Sequence, residues 1–502
     1  MSEYYVVASD IGSGGCKTAV INVKGKVLSV AQKEYPTSYP HTGWVEQNPE
    51  DWYQAFCDTV RSVLKLANIA PKKVLGVGIV GVTHNFVLLD KNDCPLYPSI
   101  LLFDTRSKNQ VKKIIDRWGA ENVRNKALND VTTAWSWPQL LWIRENENEI
   151  WRATRRLLFQ KDYVRHRLTP SPITDYIDAH GTLVFDPVQR EWIKPFCDDL
   201  GLDYSWLPEI VPPLDVVAKV GSQGAADTGL AQGTPVIAGT TDTVAEVLGS
   251  GANQPGLAIV KLASVGRIAV VTTDPIYSPH ILNYHHVWDD LWYPGTASKS
   301  AASSYRWLKD ILWHETKEET IYQRMDSEAE NIPPGCNGLL FHPHLMGEWA
   351  PHWNDQLRGN FIGLTARHNR AHLTRAVLEG VAFSLKDALS ELEESGARVE
   401  EIRLIGQGAK SKLWSQIVTD VINRPIYVPE QVDAVYGAAL ITAMGIDAIG
   451  RSAEELKSII KIRDSLRPKQ DNVSTYATLF GIYRDSDKAL YSISDRLFAL
   501  DH

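Results

Sequence analysis

The chain has 502 residues, 44% hydrophobic and 22% charged, with a formal net charge of -8. That length exceeds what one hydrophobic core normally supports, so two domains are expected in an otherwise ordinary globular composition. The acidic balance excludes a nucleic-acid binder, no stretch approaches the roughly 20 apolar residues that cross a bilayer, and the cysteines form no CxxC metal or redox pair.

The opening MSEYYVVASDIG carries acids and lacks the apolar run of a signal peptide. With the scattered cysteines, this leads to the expectation of a cytoplasmic protein. Strands and helices then alternate almost throughout, which predicts an α/β layered architecture. YYVVASD reads as a strand, and KTAVINVKGKVLSVAQKEYP as two strands joined at Lys24-Gly25. Asn48 is placed to cap a helix with Pro49 at its first position and Asp51 available for a capping box. Trp52, Phe56, Val60 and Leu64 recur at helical spacing and predict the face that packs on a sheet. VLGVGIVGV reads as a buried strand, and FVLLDKNDCPLYPSILLFD as a hairpin turning at Asn92-Asp93. Pro235–Ala238 reads as a further buried strand. Beyond GSGANQPG, near residue 250, the order repeats in outline. GLAIVKLASVGRIAVVTT is again strand, loop, strand, and Leu373, Val377, Val381, Leu385 and Leu389 mark one face of a long helix. EIRLIGQGAKSKLWSQIVTDVIN closes the pattern as strand, glycine turn and helix.

Three glycine loops could bind phosphate. Asp10-Ile11-Gly12-Ser13-Gly14-Gly15 leaves backbone N–H groups free for an anion, with Ser13 as a hydroxyl donor and Lys17 as counter-charge. Asp10 could hold a hydrated Mg²⁺, an ion that takes few carboxylates and keeps several waters. Leu262-Ala263-Ser264-Val265-Gly266 is the matching loop of the second half. Gly406-Gln407-Gly408-Ala409-Lys410-Ser411 opens a helix whose N-terminus suits an anion. None is a Walker loop, because GxxxxGK[ST] does not occur. Each loop alone fits a plain turn equally well; together, in two similar halves, they point to a nucleotide between domains. Asp242, in AGTTDTVAEVLGSG, lies at a strand-to-helix junction. From the residues alone it is either a helix cap or the base of a reaction.

From about Tyr5 to about Ala443 the chain resembles the FGGY carbohydrate kinases, nearest to members acting on xylulose. The resemblance rests on GWVEQNPEDWYQAF, KDYVRHRL, GTPVIAGTTDTVAEVLGSG, GNFIGLTARHNRAHLTRAVLE and GQGAKSKLWSQIVTD, in that order. It implies two ribonuclease-H-like domains, as in actin and Hsp70, flanking an ATP cleft. Residues 1–250 would form the N-terminal domain, with the sugar site and the base. Residues 251–502 would form the nucleotide-binding C-terminal domain with its trailing helices. Asp242 would be the catalytic base, and Thr83, His84, Asp104, Arg106 and Trp135 would contact sugar, with Trp137 close by. ATP would meet Asp10, Gly12, Ser13, Gly14, Lys17, Ser264, Gly266, Gly406, Gly408, Ala409 and Ser411. Mg²⁺ would be held by Asp10 and Asp242. Domain closure would expel water and limit ATP hydrolysis.

Several positions depart from the family pattern. Ala263-Ser264-Val265 stands for Gly-Thr-Ser, Gln139 for lysine, Trp349 for arginine and Thr83 for methionine, and Ala134 also fails the pattern. The expected activity is phosphorylation of a pentulose such as xylulose. Kinases for ribulose, glycerol, gluconate or erythritol are the alternatives, and a non-catalytic nucleotide-dependent sensor is a rival outside enzymes. His285 and His286 of NYHHVW, and His342 and His344 of FHPHLMGEW, show neither i, i+4 histidine pairs nor paired acids, so no metal site is read there. A homodimer is the assembly the resemblance implies.

Overall fold

The computed structural model describes residues 4–313, 318–431 and 433–501. It divides into two compact units, one of Met1–Gly251, Asn283–Trp292 and Asp433–Ile460, the other of Ala252–Leu282, Tyr293–Val432 and Lys461–His502.

The first unit is built on a mixed sheet. Its strands are β1 (Tyr5–Ile11), β2 (Gly15–Asn22), β3 (Val27–Glu34), β4 (Val74–Gly81), β5 (Val216–Lys219), β6 (Pro235–Ile237) and β7 (Thr240–Thr241). They run in the order β5-β6-β4-β1-β2-β3, with the short β7 also pairing β4. β1, β2 and β3 form an antiparallel meander, and β4 and β6 join it in parallel. Val6, Val7 and Ala8 are fully buried, as a strand covered on both faces requires. β3 alternates half-buried and exposed residues, as an edge strand does.

Helix α1 (Pro49–Leu66) lays Trp52, Phe56, Val60 and Leu64 into the core. Each such side chain contributes about 1.5–3 kcal/mol. Asn48 caps α1 by accepting from the Glu50 N–H, but no capping box closes, because the Asp51 side chain is one methylene shorter than the glutamate that usually closes one. The expected hairpin turns at Asn92-Asp93 and is short, with one antiparallel bridge between Leu89 and Pro95. Asp90 N–H donates to Cys94 and Leu96 N–H to Leu88, while Phe86–Leu89 pairs with Arg156–Phe159. Pro95 and Pro98 deprive the returning segment of the donors a ladder needs. Further on lie α2 (Ser136–Asn146), α3 (Gln160–Leu168) and α4 (Asp242–Gly249).

The second unit repeats the plan. β8 (Leu257–Leu262), β9 (Gly266–Val270) and β10 (Gly295–Ser298) form an antiparallel meander. After α5 (Ala302–Leu312) and α6 (Arg370–Glu394), β11 (Glu401–Ile405) joins β8 in parallel. α7 (Lys412–Ile422) then leads to β12 (Ile426–Pro429), parallel to β11. α8 (Ala434–Gly445) belongs to the first unit, β13 (Ile462–Leu466) closes the second sheet antiparallel to β12, and α9 (Gln470–Asp501) follows. The order is β10-β9-β8-β11-β12-β13. Each unit therefore carries a three-strand meander, two parallel strands and an antiparallel edge, the ribonuclease-H-like arrangement. α6 is buried on nearly every side from Thr374 to Leu389, more than the single apolar face read from its sequence. Within the first unit, α8 packs on β1 and β4. A Cβ at Gly78 would lie 2.0 Å from the Thr442 hydroxyl oxygen of α8, so glycine there is what admits the helix.

Candidate active site

The register of the first sheet sets out the catalytic edge. Asp10 of β1 and Thr240 of β7 both face Val80 of β4, and Ile11 and Thr241 both face Gly81. Asp10 and Asp242 thus emerge on either side of β4 at the carboxyl ends of parallel strands, where open α/β sheets bind ligands. Asp242 is the first helical residue of α4; the cap position belongs to Thr241, whose side chain makes no capping bond. Asp242 is half-buried, and its carboxylate lies at the positive end of the helix.

Tyr35, buried beside this edge, was not read from the sequence. Its hydroxyl donates to the Gly12 carbonyl and so fixes the first glycine loop. Burial raises its phenol pKa, and the neighbouring Cys16, Asp10 and Asp242 add to the effect. Gly12 N–H donates to Gly15 across the turn at 3.0 Å, and the Ser13 carbonyl accepts from Gln47 at 2.7 Å. The Lys17 ammonium meets Asp433 at 2.5 Å. Gly14 has open space around it.

Thr83 and His84 follow β4 and are buried. His84 takes a positive φ of 52°; its N–H donates to Asp178 at 2.7 Å and its carbonyl accepts from Ser136 at 2.9 Å. Its ring lies 4.8 Å from that of Trp135, which in turn lies 6.2 Å from Tyr284. Burial pushes the imidazole pKa down to about 3, so the ring is neutral at working pH, with one donor and one acceptor nitrogen. Among the described residues its Nδ1 has no hydrogen-bond partner. Trp137 is packed on Phe196 with ring centroids 4.7 Å apart.

A buried charge network, also missed from the sequence, joins this segment to the strand preceding Asp242. Lys161 meets Asp162 at 2.6 Å, Asp175 at 2.9 Å and Asp178 at 3.3 Å. The Thr240 hydroxyl donates to Asp175 at 3.1 Å, and Arg165 donates to the Ala238 carbonyl at 2.6 Å. Burial opposes the Lys161 charge, but the surrounding carboxylates outweigh it and hold its pKa above the usual lysine value. Burial also raises Asp178, to about 7. The density of charge in QKDYVRHRL, at odds with its burial, is the sequence signal that could have revealed it.

Asp104 is fully buried and committed within the protein. One oxygen accepts from the Val45 N–H at 2.6 Å, and the Arg106 guanidinium grips both. Arg106 also meets Glu46 at 2.7 Å and lies 3.7 Å over the Trp44 ring. The structure brings this pair together as an internal clamp on its loop.

In the second unit, the two remaining glycine loops leave neighbouring parallel strands at the same sheet edge, since Lys261 faces Ile405. Gly406 has φ 88° and ψ 170°, a region reserved for glycine, and a Cβ there would meet the Leu262 carbonyl oxygen at 2.6 Å. Gly408 abuts Leu262 and Trp414, while Ala409 is buried. Ser411 caps α7 by accepting from the Trp414 N–H at 3.0 Å. The Ser264 hydroxyl accepts from Arg306 at 2.9 Å, and its carbonyl is bound by the N–H groups of Ala301 and Ser303. A Cβ at Gly266 would lie 2.8 Å from a Leu385 methyl, so a side chain there would require Leu385 to shift. Ala263 does not take a positive φ, so the alanine is accommodated there without strain.

A ribonuclease-H-like sheet repeated in both units, with glycine loops at its strand ends, places the chain in the fold class of actin and Hsp70. Within that class the chain belongs to the FGGY family of carbohydrate kinases. The N-terminal domain of that family matches residues 5–249 and its C-terminal domain residues 268–446. The chain is 32% identical to the xylulose kinase of Bacillus subtilis over 96% of each chain. It is 29% identical to that of Staphylococcus epidermidis over 99% of each. The crystal structure of xylulose kinase from Rhodospirillum rubrum superposes with a TM-score of 0.89 at 25% identity, covering 98% of this chain and 99% of that one. The protein is thus a carbohydrate kinase, an enzyme class that uses ATP with a divalent metal.

Proposed function

We propose that the enzyme transfers the γ-phosphoryl group of ATP to the 5-hydroxyl of D-xylulose, yielding xylulose 5-phosphate and ADP. The observation that carries the proposal is the buried Lys161 network, which binds the His84 backbone through Asp178 and the strand before Asp242 through Asp175 and Thr240. A hydroxyl-binding group and a carboxylate are thereby fixed in one frame, as proton abstraction from a positioned sugar demands. Asp242 accepts the proton of the attacking hydroxyl while the new O–P bond forms and the bond to the departing ADP oxygen breaks. The neutral His84 exchanges hydrogen bonds with sugar hydroxyls, Thr83 adds another contact, and Trp135 offers a ring face to the C–H surface. Asp104 and Arg106 hold the neighbouring loop against the substrate.

The loop from Gly12 to Gly14, with Ser13, and the loops holding Ser264, Gly266, Gly406, Gly408, Ala409 and Ser411 bind ATP. Lys17 tethers the first of these through Asp433. Asp10 and Asp242 would hold Mg²⁺; two carboxylates at adjoining strand ends suit an ion that keeps most of its waters. Bound there, the ion neutralises charge on the phosphates.

A coupled assay of ADP release over xylulose, ribulose, glycerol, gluconate and erythritol tests the reading. Xylulose is expected to give the highest kcat/KM. A higher value for another polyol moves the substrate, and ATP binding without turnover on any of them makes the protein a nucleotide sensor. We also infer a cytoplasmic homodimer. Free thiols at all five cysteines support the compartment, and exposed Ile493, Leu497 and Leu500 at helical spacing on α9 support the assembly. Light scattering that gives a monomer mass would remove the dimer.

A further inference from the structure

Within the second unit, far along the chain from the glycine loops, His344 and His352 converge on Asp487 of α9. One ligand atom from each lies within 4.8 Å of the others. His344 Nε2 is 3.0 Å from Asp487 Oδ1; His352 Nε2 is 3.1 Å from Asp487 Oδ2 and 3.7 Å from Asp387 Oδ2 of α6. We propose that these residues form a transition-metal site, with Zn²⁺ as its ion, held by the two imidazoles and Asp487 and completed by Asp387 or water.

Three observations carry it. First, Asp487 Oδ2 is buried and makes no hydrogen bond among the described residues, although His352 Nε2 lies 3.1 Å away. Close approach without hydrogen-bond alignment is how two ligands of one ion meet: donors about 2.1 Å from a tetrahedral centre are roughly 3.4 Å apart. Second, each histidine has a polar group beside its other nitrogen, although His344 Nδ1 makes no aligned hydrogen bond among the described residues. His344 Nδ1 lies 3.3 Å from Glu348 Oε2, and His352 Nδ1 contacts the Tyr491 hydroxyl. Glu348 is itself fixed by the Ser298 hydroxyl at 2.9 Å and the Lys299 N–H at 2.6 Å. A carboxylate behind a ligating imidazole sets the tautomer and aims the free nitrogen at the metal. Third, the donors come from separate segments: the loop holding His344 and His352, helix α6 and helix α9. An ion there would clasp α9 to the body of the unit. Mixed imidazole and carboxylate donors suit Zn²⁺ and Co²⁺ and disfavour Mg²⁺, which selects oxygen.

The sequence hid the site because the acids lie far downstream of FHPHLMGEW, on two helices that only the fold brings back. The test is titration of chelator-stripped, full-length protein with Zn²⁺ against a chromophoric competitor, and with Co²⁺ followed by its visible absorption. One equivalent of Zn²⁺ per chain, a tetrahedral Co²⁺ spectrum and a thermal midpoint raised by Zn²⁺ are expected. Asp487→Asn and His352→Gln should each weaken Zn²⁺ by more than about 10²-fold, and Glu348→Gln by about 10–100-fold. Absence of stoichiometric Zn²⁺ and Co²⁺ binding in the wild-type chain overturns the proposal, as does unchanged affinity in folded Asp487→Asn protein. The cluster is then an ion-pair network alone.

Discussion

His84 is held through its backbone and packed against Trp135, and Asp242 sits at a helix end, so substitutions at and around them separate chemistry from binding. Replacing Asp242 with asparagine keeps the size and most of the contacts but removes the proton acceptor. We expect kcat to fall by at least about 10²-fold, the scale of a lost general base, with ATP affinity nearly unchanged. Near-normal kcat in folded Asp242→Asn protein would exclude it as the base. A quieter probe is Gly181. A Cβ there would meet the His84 ring at 2.5 Å, while the Gly181 backbone itself is ordinary, with φ -65°. Gly181→Ala should therefore turn the imidazole without straining its own turn. The expected signature is a sugar KM raised by at least about tenfold with KM for ATP unmoved, and stability lowered by about 1–3 kcal/mol. Equal rises in both KM values would place the damage outside the sugar site.

At the scale of elements, strands and helices with one clear periodicity were legible, and positions defined by partners far along the chain were not. The face of α1 follows directly from Trp52, Phe56, Val60 and Leu64, because period alone decides it. Asp242 could be placed at a strand-helix junction, but only the register of β7 on β4, which sets Thr240 level with Asp10, brings it to the same sheet edge as Asp10. The network around Lys161 was invisible for a different reason: charged residues are read as exposed, and only mutual neutralisation permits their burial. That gives a direct prediction. Lys161→Met leaves Asp175 and Asp178 buried without their cation, at a cost of about 3–5 kcal/mol, so the urea midpoint should drop sharply. An unchanged midpoint would show that the carboxylates are neutral without the lysine. The turn after β11 is the counterpart in the second unit. Gly406→Ala forces a side chain into glycine-only backbone and against the Leu262 carbonyl, straining the turn by about 1–3 kcal/mol. KM for ATP should rise while KM for the sugar stays constant; parallel change in both would detach this loop from the nucleotide.

For the molecule as a whole, the first unit is loaded with buried neutral histidines, and that fixes how it meets acid. Burial pushes His84 and His180 down to about 3 and His285 down to about 4. Unfolded, each would titrate near 6.5, so below that pH the unfolded chain binds protons that the folded chain refuses. The stability these groups provide is complete above about pH 6.5 and is lost as pH falls towards their folded values. Each removes about 1 kcal/mol between pH 6.5 and 5.5, and about 1.4 kcal/mol per pH unit below that until its folded value is reached. Asp178 acts in the opposite sense: raised to about 7 by burial, it favours the folded state at low pH and loses that contribution as pH climbs from about 4 to 7. It offsets one histidine of the three. Asp175, also raised by burial, offsets a further share, so the net loss between pH 6.5 and 5.5 is at most about 2 kcal/mol, enough to move the urea midpoint of the first unit downward. His180→Gln should flatten that slope by the share of one histidine, because its Nε2 contacts Asn129 and the Ala127 carbonyl through bonds a neutral amide can mimic. A midpoint that holds steady from pH 7.5 to 5.5, or a slope that His180→Gln leaves untouched, would mean that these rings take up protons without unfolding.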